Sequence, residues 1–144
     1  MTALPIPVAI LTGFLGSGKT SLLNALLKDE MLSNAAVIIN EFGDVSLDHL
    51  LVEKSDENII ELASGCLCCT IRGDLIDTMN DLLGKRDRSE VKAFDRIVID
   101  SAPVLAVSDT LLMTAHVQSV CIVVRAGQTA RNAVQRALGL IAAT

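Results

Sequence analysis

The chain has 144 residues, of which 51% are apolar, and a formal net charge of −5 at pH 7. This length is typical of one domain, so we expect residues 1–144 to form a single folded unit. An acidic chain without a basic cluster disfavours nucleic-acid binding. No apolar run reaches the roughly eighteen residues of a membrane span, and no signal-like segment opens the sequence. We therefore expect a cytoplasmic protein with neither nucleic acid nor membrane as a partner.

Short apolar runs alternate along the chain with segments of helical spacing. The runs typical of buried strands are residues 8–13, 35–40, 58–63, 95–100 and 119–126. The segments with helical periodicity are residues 19–30, 72–88, 108–116 and 129–144. Trp and Tyr are absent, and an aliphatic core suits a parallel sheet covered by helices. The order predicts an α/β fold, a doubly wound, mostly parallel sheet flanked by helices in three layers, with ligands beyond the carboxyl ends of the strands.

The last helical segment is amphipathic. Its apolar side is made of Ala130, Ala133, Val134, Ala137, Leu138 and Ile141. Residues at this spacing share one face of a helix. We therefore expect this segment to form a helix with these residues on one side.

The segment Gly13–Thr20 matches the phosphate-loop pattern G-x-x-x-x-G-K-[ST] without a mismatch, and it lies between a predicted strand and a predicted helix. Its glycines let backbone N–H groups curl around phosphate oxygens, and the helix N-terminus adds partial positive charge. Lys19 is expected to reach the β- and γ-phosphates, and Thr20 to bind Mg²⁺. The predicted nucleotide-binding residues are Gly13, Gly16, Ser17, Gly18, Lys19, Thr20 and Ser21.

Asp100 ends an apolar run and therefore lies at the carboxyl end of a predicted strand. There it could hold Mg²⁺, directly or through water, or it could instead cap the following turn. Asp109 is more typical of the first turn of a helix than of a ligand. His116 and Arg125 have no motif context and are interpreted as surface or strand-end residues. The predicted catalytic residues are Lys19, Thr20 and Asp100.

Three of the four cysteines crowd into "GCLCCT", residues 65–70. A loop there could turn the thiolates of Cys66, Cys68 and Cys69 toward one ion, and thiolates favour Zn²⁺ or Cu(I) over Mg²⁺ or Ca²⁺. Burial as small apolar side chains is the alternative. The candidates for a fourth ligand are Glu41, Asp44, His49, water and a client protein. The fourth cysteine, Cys121, lies in the apolar run "VCIVV" and is interpreted as a core residue.

Three stretches together resemble the N-terminal GTPase domain of the CobW family of metal-handling P-loop proteins. They are "GFLGSGKTSLLNALL", "IINEFGDVSLDHLLV" and "IIELASGCLCCTIRGDL", within about residues 6–98. The resemblance implies GTP or GDP, Mg²⁺ and Zn²⁺ as ligands, and a client metalloprotein as a partner, and it leaves room for a homodimer. It also implies that Glu41 belongs to a nucleotide-sensitive switch and that Cys66, Cys68 and Cys69 take part in metal delivery.

The pattern changes from Asp100 onward. A CobW-type domain would continue into a threonine-glycine step whose backbone touches the γ-phosphate, whereas this chain continues as "VIDSAPVLAVSD". The segment from about residue 98 to residue 144 resembles instead bacterial polysaccharide-export tyrosine kinases and MinD-type P-loop ATPases. A natural or engineered fusion of two families near residue 98 explains this change. Divergence within one family is the alternative.

The sequence therefore predicts a Mg²⁺-dependent P-loop nucleoside triphosphatase that is coupled to zinc or another transition metal, with GTP favoured over ATP. Pro103 has no N–H to donate, and no glycine follows Asp100 to contact the γ-phosphate. We therefore expect turnover below about 1 s⁻¹, the lower end of typical enzyme rates. The alternative is a nucleotide-binding module with little or no hydrolysis that accepts ATP or ADP.

Overall fold

The computed structural model describes residues 5–30, 34–40, 59–61, 71–106 and 108–144. Within these ranges strands and helices alternate along the chain. Their bounds are β1 Val8–Gly13, α1 Lys19–Leu27, β2 Ala35–Asn40, β3 Ile59–Glu61, α2 Ile71–Asp87, β4 Arg96–Ser101, α3 Ser108–Thr114, β5 Ser119–Val123 and α4 Arg131–Ala142. In the described part of the chain, no helix combines the length and apolar character that crossing a bilayer requires.

The strands form one sheet in the order β3-β2-β4-β1-β5. Every pair of neighbours in this order is parallel, so each connection must cross over a face of the sheet. The chain leaves β1 toward one edge of the sheet and leaves β4 toward the other edge. The predicted doubly wound parallel sheet is confirmed, and its switch point lies at the carboxyl ends of β1 and β4.

Alternate residues of the strands bury an apolar layer on each face of the sheet. The first layer contains Ile10, Ala36, Ile38, Leu82, Phe94, Ile97 and Ile99. The second layer contains Leu11, Leu23 and Val37. Leu82 belongs to α2 and Leu23 belongs to α1, so helices cover both faces and form the three layers expected. Burying each large aliphatic side chain contributes about 1.5–3 kcal/mol.

Cys121, which its apolar surroundings assign to the core, is exposed. It is a free thiol on β5, and β5 lies at the edge of the described sheet. The prediction of burial was wrong for this side chain, because the apolar run identified a strand without indicating that it lies at the edge. On α4, which contacts α3, Ala137 is buried and Leu138 is 53% exposed.

Candidate functional site

The loop between β1 and α1 turns tightly because two of its glycines adopt left-handed backbone conformations. Gly16 has φ 72° and Gly18 has φ 91°, values that residues with a Cβ rarely adopt. The Ser17 N–H donates to the Phe14 carbonyl at 3.0 Å and closes the turn. The curled backbone that the motif predicts is therefore present.

Gly13 is required for a different reason, which is close packing at the end of β1. A Cβ at this position would lie 2.8 Å from the Ser17 hydroxyl and 2.9 Å from the Val123 carbonyl oxygen. Val123 is the register partner of Gly13 on β5. The loop therefore lies directly against the end of the neighbouring strand.

The start of α1 is suited to bind an anion. Gly18 is the N-cap, no side chain caps the helix, and its first turn has no acidic residue. The N–H groups and the helix dipole therefore favour a negatively charged ligand. The Ser17 hydroxyl is buried and has no hydrogen-bond partner in the described part of the chain. Because an unpartnered buried hydroxyl costs about 1–3 kcal/mol, a phosphate oxygen fits this place.

Lys19 and Asp100 meet where β1 and β4 end. The Lys19 Nζ lies 3.0 Å from the Asp100 Oδ1, and the two side chains are 10% and 5% exposed. This contact is an ion pair rather than a well-aligned hydrogen bond. The same ammonium donates to the Ser101 carbonyl at 2.7 Å. Two of the three predicted catalytic residues therefore lie side by side in a nearly buried site.

Arg125 approaches the phosphate loop from the opposite side. Its Nη1 lies 3.5 Å from the Gly16 carbonyl oxygen, which is long for a hydrogen bond. The Arg125 N–H donates to the Thr129 hydroxyl at 2.9 Å, and the Thr129 N–H donates to the Arg125 carbonyl at 2.9 Å. Sequence reasoning left Arg125 without a role because no motif contains it. The signal that could have found it is its position at the end of the predicted strand 119–126, since the carboxyl ends of strands line the site in such a fold.

The other predicted site residues fall into two groups. Thr20 is partly buried and Ser21 is exposed in the first turn of α1, beside Lys19. The predicted transition-metal ligands lie outside the described residues, as do the candidates for a fourth ligand: Cys66, Cys68, Cys69, Glu41, Asp44 and His49. Among the residues that the structure does describe, no group of three or more His, Cys, Asp or Glu side chains could hold a metal. The thiolate metal site stays a prediction.

A family model described as "CobW/HypB/UreG, nucleotide-binding domain" matches residues 7–137. The chain belongs to the CobW/HypB/UreG family. The resemblance inferred from the three motif stretches is thus confirmed. The match extends on both sides of residue 98, so it includes the predicted join between families, and the join stays a prediction.

The chain matches curated relatives over part of their length. The chain is 45% identical over 96 residues to the zinc chaperone YjiA of Escherichia coli strain K12, an alignment covering 67% of this chain and 30% of that protein. It is 36% identical over 110 residues to the zinc-regulated GTPase metalloprotein activator 1 of Dictyostelium discoideum, covering 67% and 22%. The chain therefore spans less than a third of the length of either relative.

A solved structure shares the fold. The kinase domain of Escherichia coli tyrosine kinase ETK superposes with a TM-score of 0.60 at 18% sequence identity, covering 96% of this chain and 63% of that one. At this identity the likeness concerns the fold alone. It extends over nearly the whole chain, and so it does not separate the residues before 98 from those after it.

Proposed function

We propose that this chain is the nucleotide-binding domain of a Mg²⁺-dependent P-loop GTPase that is linked to metal handling. The observation that carries the proposal is the meeting of Lys19 and Asp100 beside the phosphate loop, 3.0 Å apart and almost excluded from water. An ammonium group for phosphates and a carboxylate for Mg²⁺ are the two charges that phosphoryl transfer requires at this place.

Each part of the proposed site has its own task. The backbone of the loop and the Ser17 hydroxyl would hold phosphate oxygens, with Lys19 supplying a positive charge. Thr20 and Asp100 would hold Mg²⁺. When bound, Mg²⁺ supplies the charge that offsets the developing negative charge on the transferred phosphoryl group.

We expect slow hydrolysis from this arrangement. Pro103 follows the β4 end closely and has no N–H to offer to a γ-phosphate. The Ala102 carbonyl next to it accepts two buried hydroxyl groups, which disfavours rearrangement of this segment. Turnover below about 1 s⁻¹ is therefore part of the proposal. This feature also favours the second candidate, a nucleotide-binding module that hydrolyses little and accepts ATP or ADP.

Metal handling is the second half of the proposal. It is supported by the names of the relatives, a zinc chaperone and a zinc-regulated GTPase metalloprotein activator, and by three clustered cysteines in this chain. Zn²⁺ or another transition metal would be cargo bound at Cys66, Cys68 and Cys69, with Glu41 linking that segment to the nucleotide. The partners of the chain would be a client metalloprotein and a second copy of the chain in a homodimer.

Calorimetric titration of the full chain with GDP and ADP, each with and without Mg²⁺, tests the nucleotide site. Lys19→Ala should reduce affinity at least about a hundredfold, because the phosphates lose their charged partner. Lys85→Ala is the matched control, since that lysine lies on α2 in an exposed pair with Asp81. Undiminished affinity in Lys19→Ala, or an equal loss in Lys85→Ala, would contradict the proposal.

A further inference from the structure

Two buried hydroxyl groups bind the backbone that follows Asp100. Thr12 is 0% and Thr110 is 2% exposed, and both donate to the carbonyl of Ala102, at 2.8 Å and 3.2 Å respectively. Thr12 belongs to β1 and Thr110 to α3. Two elements far apart in sequence thus bind the same backbone atom, two residues after Asp100.

The hydrogen-bonding capacity of the Ala102 carbonyl oxygen is filled by these two donors. A carbonyl oxygen has two lone pairs, and the two hydroxyl groups account for both. The proline that follows restricts Ala102 to extended conformations. A buried threonine hydroxyl is also costly without a partner, so both side chains favour the present position of the segment. The backbone after Asp100 is therefore held from two sides.

The neighbouring carbonyl depends on a different donor. Ser101 O accepts from the Lys19 ammonium at 2.7 Å, and Lys19 is the group that a phosphate would attract away. The hydroxyl bonds of Thr12 and Thr110 involve no group of the phosphate loop Gly13–Thr20. They would persist when Lys19 changes partner.

We propose that Thr12 and Thr110 are positioning residues that keep Asp100 in place for Mg²⁺ when Lys19 turns to the nucleotide. Their hydroxyl groups act through the Ala102 carbonyl and contact neither ligand. The inference rests on the proposed nucleotide and Mg²⁺ binding. It separates two tasks, since phosphate binding depends on Lys19 whereas the gain in affinity from Mg²⁺ depends on the two threonines.

The test measures GDP affinity of the full chain in excess Mg²⁺ and in EDTA, for Thr12→Val, Thr110→Val and the double variant. Valine keeps the shape of the side chain and removes the hydroxyl. We expect affinity in EDTA to stay within about twofold, and the Mg²⁺-dependent gain to fall about five- to tenfold per hydroxyl, as for a lost buried hydrogen bond. Thr12→Ser should restore the gain. Thr114→Val is the matched control, because the Thr114 hydroxyl bonds the Leu111 carbonyl and the Thr144 hydroxyl and not the backbone after Asp100.

Each result has one reading. An unmodified chain that does not bind GDP, or gains nothing from Mg²⁺, would overturn the proposed function before any variant is compared. If that chain behaves as expected, an unchanged Mg²⁺ gain in the double variant would overturn the inference. Equal losses in Mg²⁺ and EDTA, or the same loss in Thr114→Val, would also overturn it. Melting temperatures confirm folding, and Thr110→Val decides the matter if Thr12→Val unfolds.

Discussion

The two strands beside β1 hold the phosphate loop in different ways. Both run parallel to β1, but the pairing with β4 ends at Leu11 opposite Asp100, whereas the pairing with β5 continues to Gly13 opposite Val123. On β4, Asp100 is 4% exposed, whereas all five residues of β5 are exposed or partly buried. Electrostatic contacts strengthen in a low-dielectric interior. The loop therefore has a buried, charged flank at β4 and a solvated flank at β5.

Removing the buried charge should have the largest effect. Asp100→Ala leaves the Lys19 ammonium nearly buried without its carboxylate, and breaking a buried ion pair costs about 3–5 kcal/mol. Urea unfolding without nucleotide measures the loss. Asp81→Ala is the control, because its pair with Lys85 is 41% and 55% exposed and should contribute less than about 1 kcal/mol. Similar losses in both variants would remove the distinction between the buried and the exposed charge.

The second largest effect is expected from crowding the contact between Gly13 and β5. Gly13→Ala places a Cβ 2.9 Å from the Val123 carbonyl oxygen, so β1 and β5 must separate slightly, at about 1–3 kcal/mol. Gly139→Ala is the control, since its Cβ would meet nothing within 4 Å and alanine favours a helix by about 1 kcal/mol. Urea unfolding should therefore show a lower free energy of unfolding for Gly13→Ala and a higher one for Gly139→Ala. A neutral Gly13→Ala would show that the β5 end yields easily.

The solvated flank should contribute less to ligand binding. Arg125→Ala removes an exposed, 3.5 Å contact with the Gly16 carbonyl, so we expect GDP affinity to fall about twofold to threefold. The difference should shrink further at 1 M salt, because exposed charges are screened. Arg131→Ala, at the exposed start of α4, is the control in the same titration. A tenfold loss that resists salt would place Arg125 among the strong contacts.

The smallest effect is expected from an ion pair outside the site. The Arg88 guanidinium donates to Glu90 at 2.6 Å and 3.2 Å and lowers the pKa of that carboxyl. A lowered folded-state pKa adds stability above the unfolded pKa of about 4.3, and this is lost as the pH falls through the folded value. Glu90→Gln should therefore lower the melting temperature slightly at pH 7, and the difference should vanish in acid. A difference that grows in acid would contradict this sign.

How much could be predicted from the sequence depended on how local each signal was. The curled conformation of the loop Gly13–Thr20 could be predicted because it follows from neighbouring glycines. The position of Asp100 at a strand end could be predicted because this residue ends an apolar run. The two hydroxyl bonds to Ala102 join residues 90 and 8 positions apart, and no local pattern indicates them. Cys121 was misjudged because an apolar run identifies a strand but not its place in the sheet.

The left-handed glycines and the closed turn at Ser17 also bear on the time course of binding. The positive φ values of Gly16 and Gly18 and the Ser17–Phe14 hydrogen bond are set by the loop's own residues, so we expect a nucleotide to pay little ordering entropy for the backbone that surrounds its phosphates. Encounter then needs no slow refolding of the loop, and association rates should be similar among nucleotides. Selectivity between bases would then come from differences in the dissociation rates of the nucleotides.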